Sequence, residues 1–313
     1  MTSRVSLGVV LTLAFAAVAA TSQFTEWSTP VNLGPVVNSA SNDFCVAISK
    51  NGLALIFASN RLGGVGGNDL YMSKRASLND PWETPVLVPN VNSTAAEMCP
   101  TLSLDEHGLY FASNRPGGCG NVDIYVSRRH DRRDDFGWQL PENLGCEING
   151  YINGAYGDYP PALFEDETGS VVMYFASGRP GGLGGLYDYY ASTMRDDDTF
   201  GPGTLIEELS SPFDDGGMAM RRDGLEVIIG TTRPGGLGDY DLWVATRDST
   251  SDPWSAPVHL PAPINTALDE GGKMSFSFDG RALYFRSGRP GGSGGWDLWV
   301  ATREKLPGKK EKD

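Results

Sequence analysis

The sequence predicts an all-β fold, a five-bladed β-propeller with four antiparallel strands per blade. Three observations carry this reading: a Gly-rich turn that recurs five times, a recurring W-x-x-P segment, and an offset between the two ends of the repeat array. The turn arginines are Arg61, Arg115, Arg179, Arg233 and Arg289, spaced by 54, 64, 54 and 56 residues. Their segments read SNRLGGVGGNDLY, SNRPGGCGNVDIY, SGRPGGLGGLYDYY, TTRPGGLGDYDLW and SGRPGGSGGWDLW. A spacing near 54 residues with four short strands per unit suits a propeller blade, not a helical solenoid.

Each unit supplies its strands in the same order. An inner strand comes first, as CVAIS, CPTLS, PALF, MAMR or MSFS. Next is a short apolar run (ALIFA, LYFA, VMYFA, VIIG, LYF), the Gly-rich turn, and an aspartate opening an aromatic-rich strand. Two such runs joined by a Gly-rich turn make a hairpin. The outer strand follows in PWETPVLV, GWQLPENL and PWSAPVHL, with FGPGTLI in the third unit. The fifth unit stops after WDLWVATR, and its outer strand appears instead at the start of the array, in residues 26–33, EWSTPVNL. An N-terminal strand that completes the last blade closes the ring and removes an exposed sheet edge.

The remaining segments fit an exported protein. Residues 1–20 read as a signal peptide: Arg4 gives a positive start, Val5 to Ala16 is apolar, and Ala17, Ala19 and Ala20 offer cleavage positions. One propeller domain then covers residues 24–303, and residues 304–313 form a charged tail expected to be disordered. No membrane span is expected after signal removal, and the localisation is secreted or periplasmic. A formal net charge of −14 disfavours nucleic acid and anionic lipid as partners. The protein is expected to be a monomer. Asn92-Ser93-Thr94 is a formal glycosylation sequon.

The pattern S-x-D-G-x-x-L-Y-F-x-S-x-R-P-G-G…D-L-W-V, best seen from Ser277 to Val300, resembles the WD-like repeat of TolB-type propellers. The resemblance covers about residues 26–303 and implies the propeller fold. It implies little about activity, because such propellers serve as binding platforms and as enzymes.

The most regular polar feature is the turn arginine followed by Asp69, Asp123, Asp188, Asp241 or Asp297. Five copies of one pair suit a structural role, with arginine and aspartate paired across the hairpin by charge-assisted hydrogen bonds. The G-G-x-G-x-D element resembles calcium nonapeptides, but those act in tandem, so no metal site is assigned. No cofactor is expected, although a cation in the central channel is possible.

Before each inner strand stands an acid, Asp43, Glu97, Asp158, Asp215 or Glu270, and blade symmetry places these in a ring at the channel mouth. They read either as a solvated or backbone-capping rim, or as a cation site or a carboxylate set for sugar chemistry. Together with Tyr151 and Tyr156 in the long connection after the second blade, they are the ligand-binding candidates. No residue is assigned as catalytic. The three histidines, His107, His130 and His259, fall away from the axis, and no G-x-S-x-G elbow is present. Blade equivalence suggests disulfides Cys45–Cys99 and Cys119–Cys146. The function expected is therefore a non-catalytic platform that binds a protein, peptide or glycan over the channel face. The alternative is a carbohydrate-active hydrolase or lyase using carboxylates at the channel mouth, which would need an asymmetric cluster near the axis.

Overall fold

A computed structural model describes residues 23–150 and 157–307. The expected signal peptide, Tyr151 and Tyr156, and the end of the tail lie outside these residues. Among the described residues, twenty strands form five antiparallel four-stranded sheets, the blades of a β-propeller. Blade 1 holds β2 (Asp43–Ile48), β3 (Ala54–Ser59), β4 (Asp69–Lys74) and β5 (Val86–Leu87). Blade 2 repeats this with β6 (Glu97–Leu102), β7 (Gly108–Ser113), β8 (Asp123–Arg128) and β9 (Glu142–Asn143). Blade 3 holds β10 (Asp158–Glu165), β11 (Val171–Ser177), β12 (Asp188–Thr193) and β13 (Thr204–Leu205). Blade 4 holds β14 (Asp215–Met220), β15 (Glu226–Thr231), β16 (Asp241–Thr246) and β17 (Val258–His259).

Blade 5 is β18 (Glu270–Phe276), β19 (Ala282–Ser287) and β20 (Asp297–Thr302), completed by β1 (Val31–Asn32). Val31 lies opposite Val300 and Asn32 opposite Trp299. Thr25 N donates to Glu304 O at 2.8 Å and Leu306 N to Gln23 O at 2.8 Å. Residues 304–306, expected in the disordered tail, are thus paired with residues 23–25.

The second strand of each blade is buried on both faces, which is why it reads as an unbroken apolar run. Its side chains fill the spaces between neighbouring blades. Val46, Leu55 and Phe57 of blade 1 meet Tyr284 and Leu298 of blade 5, and Ile228 and Leu242 of blade 4 meet Leu283 and Phe285 of blade 5. Two disulfides are present, Cys45–Cys99 between the inner strands of blades 1 and 2, and Cys119–Cys146. Among the described residues no helix is long and apolar enough to cross a membrane.

Candidate active site at the channel mouth

The turn arginines do not pair with the aspartates that follow them. Arg61 binds Asp43 at 2.5 Å, Arg115 binds Glu97 at 2.9 Å, Arg179 binds Asp158 at 2.9 Å, and Arg233 binds Asp215 at 3.1 Å. Arg289 stands 3.4 Å from Glu270. The reason is β-register. Asp43 lies opposite Ser59, two residues before Arg61, and Ser59 Oγ accepts the Arg61 Nε–H at 2.9 Å. The arginine is thereby aimed back along the inner strand. Each arginine also donates to a carbonyl of the connection before that strand, such as Val37 O at 2.7 Å or Leu209 O at 2.6 Å.

Asp69, Asp123, Asp188, Asp241 and Asp297 instead accept backbone N–H groups of the Gly-rich loop. Asp123 takes Cys119 N at 2.5 Å and Gly120 N at 2.8 Å, and Asp297 takes Ser293 N at 2.5 Å and Gly294 N at 2.9 Å. These carboxylates have amides for partners, which explains the nonapeptide likeness without an ion. Among the described residues no group of three or more His, Cys, Asp or Glu could hold a metal.

The five acids before the inner strands are not an exposed rim. All are buried, and besides the arginine four of them bind a Ser or Thr four residues upstream, as Glu97 binds Ser93 Oγ at 2.6 Å and Glu270 binds Thr266 Oγ1 at 2.8 Å; Asp158 has a glycine at that position. Burial raises the pKa of Asp158 and Asp215 against the pull of their arginines. A second repeated clamp escaped the sequence reading. Asn38, Asn92, Asn149 and Asn265 side chains grip the backbone of the third strand, as Asn92 does at Leu70 N (2.7 Å) and Leu70 O (3.0 Å). The sequon Asn92 is therefore turned inward. Its spacing, 23 residues before Arg115, was the available signal.

What distinguishes the blades lies at three positions around the channel. Just before the third-strand aspartate, blades 1 to 5 carry Asn68, Val122, Tyr187, Tyr240 and Trp296. Just before the second-strand Ser or Thr they carry Ala58, Ala112, Ala176, Gly230 and Arg286. Just before the buried acid they carry Asn42, Ala96, Gly157, Asp214 and Asp269. One wall of the channel mouth is thus apolar, with Phe44, Met98 and the Cys45–Cys99 disulfide, and the other is aromatic and charged. Between them is a cavity of about 210 Å³. Glycines open the polar side: a Cβ on Gly216 would stand 2.9 Å from the Tyr240 ring, and one on Gly217 2.1 Å from Gly272 O.

The centre of this cluster is Arg286. Its Nη2 donates to both oxygens of Asp269, at 3.1 and 2.9 Å, and its guanidinium lies 3.8 Å from the centre of the Trp296 ring. Its buried Nε has no hydrogen-bond partner among the described residues. The Asp269 pKa is raised, by burial first and by the charges of Asp239 and Glu270, against the lowering pull of Arg286. Burial also lifts the Tyr159 and Tyr240 phenols, so both keep their protons as donors. Tyr159 and Tyr187 pack edge to face at 5.1 Å.

No family model matches the sequence, and no curated protein does. Solved structures with this architecture do. The catalytic domain of a GH62 α-L-arabinofuranosidase from Coprinopsis cinerea matches at TM-score 0.54 and 13% identity, over 90% of this chain and 98% of that one. An α-L-arabinofuranosidase from Lactobacillus brevis matches at 0.56 and 15%, over 86% and 92%. A GH43_1 enzyme from Xanthomonas citri complexed with xylotriose matches at 0.55 and 14%, over 87% and 89%. At these identities the likeness is one of fold.

Two expectations are corrected by these findings. The resemblance to TolB-type WD-like repeats is not upheld, since the matching structures are glycoside hydrolases and the shared motif reports blade construction. The expected non-catalytic platform for a protein, peptide or glycan is also corrected, since the structures with this architecture are glycoside hydrolases and the channel mouth holds an asymmetric cluster.

Proposed function

We propose that this chain is an exported carbohydrate-active hydrolase whose site is the cluster of Asp269, Arg286, Tyr240 and Trp296 at the channel mouth. The observation that carries the reading is asymmetry. A carboxyl with a raised pKa and several aromatic residues gather on one side of a ring that is otherwise near-symmetric. Glycoside hydrolysis needs two carboxyl groups in unlike environments. Asp269, held by Arg286 of the cavity wall, donates a proton to the leaving glycosidic oxygen. Asp239, exposed beside it and close enough for its charge to act on Asp269, activates the water. Trp296 and Tyr240 offer apolar faces to a sugar ring, and the phenols and Arg286 Nε supply donors for its hydroxyls. A glycan partner agrees with the xylotriose and cellotriose complexes among the similar structures. Export agrees with the two disulfides.

The test is hydrolysis of aryl α-L-arabinofuranosides, aryl β-xylosides and xylo-oligosaccharides by the purified chain. Wild type should cleave at least one class, and Asp269→Asn should lower kcat by about 10²–10⁴-fold, measured below the melting temperature of the variant. Absence of cleavage by wild type across the panel, or full activity in Asp269→Asn, overturns the reading.

A further inference from the structure

The opposite mouth of the channel, where the first and second strands of each blade connect, holds a second cavity of about 120 Å³. Most acids in these connections are spent on their own turns. Asp105 Oδ1 accepts Ser103 Oγ at 2.5 Å and His107 N at 3.0 Å, and Asp279 Oδ1 accepts Ser277 Oγ at 2.7 Å and Arg281 N at 3.1 Å. Glu106, the one acid on the cavity wall among the described residues, accepts from Lys50 N at 2.5 Å. The cations are left to face the opening. The Lys50 ammonium and the Arg222 guanidinium lie 4.9 and 4.2 Å from the centre of the exposed Phe278 ring.

Deeper in the channel is Lys273, 5% exposed. It enters through an irregularity peculiar to blade 5. Ser275, which faces Tyr284, is the fifth residue after Glu270, whereas Ala47, which faces Ile56, is the fourth after Asp43. The extra residue forms part of a bulge, a device that re-aims a side chain. The Lys273 ammonium donates to Val46 O at 3.1 Å, its one acceptor among the described residues, although an ammonium carries three donors.

We propose that this mouth binds a small free oxyanion, of the sulfate or phosphate type, between the Lys273 ammonium and the side chains of Lys50 and Arg222. An anion supplies the acceptors that Lys273 lacks and the charge that its burial leaves unbalanced. The cavity's size suits an ion better than a chain of sugar rings. The site opens at the other mouth from the Asp269 cluster, with Lys273 lining both cavities, and does not depend on hydrolysis.

The charged groups facing Lys273 are Lys50, Glu106 and Arg222 at this mouth and Arg286 from the other side. None neutralises it, and burial lowers its pKa to about 7. Binding an anion favours the protonated amine, so affinity should fall as pH rises through 7.

Isothermal titration of the full chain with sodium sulfate, at constant ionic strength set with sodium chloride, tests this. Wild type should bind saturably at pH 6.5, with proton uptake, and several-fold more weakly at pH 8.5. Lys273→Met should bind about 10- to 100-fold more weakly. Arg222→Ala, at an exposed position, should weaken binding even if Lys273→Met does not fold. Absence of saturable sulfate binding by wild type overturns the proposal, as does unchanged binding in Lys273→Met or Arg222→Ala. Binding of trigalacturonate without binding of sulfate also overturns it, in favour of a carboxylate borne on a glycan.

Discussion

At the scale of single residues, the turn arginine and its acid decide most. Arg233 is mostly buried and divides its donors among Asp215, Thr231 Oγ1 and Leu209 O. Removing the carboxylate leaves a buried guanidinium without a counter-charge, which is far costlier than losing one hydrogen bond. Asp215→Ala should therefore destabilise the fold by about 3–5 kcal/mol. Asp241→Ala, which frees two loop amides that water can reach, should cost about 1–3 kcal/mol. Denaturation midpoints that rank the two variants in reverse order would refute this assignment. The sequence displayed all these residues yet suggested the wrong partner. Arg61 and Asp69 are eight apart and look local, while Asp43 is eighteen away and becomes adjacent only through the register of β2 on β3.

At the scale of the element, the Gly-rich loop was legible and its chemistry was half legible. The first glycine of each G-G pair has a positive φ, as Gly117 does at 95°, so its place in a turn follows from sequence reasoning. The second glycine has another reason. A Cβ on Gly118 would stand 1.7 Å from Asp123 Oδ2, so the loop can wrap its carboxylate only without a side chain there. Gly118→Ala should lower stability by about 1–3 kcal/mol through this overlap. The melting temperatures of wild type and variant should be indifferent to calcium. A calcium-dependent rise in wild type alone would restore the nonapeptide reading. The site was legible in a different sense. Tyr187, Tyr240, Trp296 and Arg286 stand at repeat positions where other blades carry Asn, Val, Ala or Gly. An aligned repeat exposes such departures, but it does not say that they converge. Convergence needs the ring, because blades 3, 4 and 5 bring their third-strand starts to one side of the channel.

At the scale of the whole molecule, closure of the ring holds that convergence in place. Blade 5 carries Arg286, Trp296 and Asp269, and its outer edge is β20. β1 covers that edge with only two residues, but side chains reinforce it. Asn32 Nδ2 donates to Asp297 at 2.9 Å, and the Trp27 ring lies 6.2 Å from that of Phe276. Arg303, 4.3 Å from the Trp27 ring centre, makes two bonds to Glu226 at 2.7 and 2.8 Å and ties blade 5 to blade 4. Closure was readable from sequence because a missing outer strand and a spare N-terminal one complement each other in a repeat count. Activity was not, because the repeated motif describes blade construction, which enzymes and platforms share. A chain lacking residues 23–33 should expose the β20 edge and unpair Arg303 from its aromatic cover. Its melting temperature should fall, and it should self-associate as concentration rises, since an open edge is a template for strand addition. Adding a peptide spanning residues 23–33 should reverse both effects, measured by calorimetry and by sedimentation. If the shortened chain stays monomeric and melts like the full one, the N-terminal strand is not what closes the ring, and blade 5 must hold its site by packing on blades 4 and 1 alone.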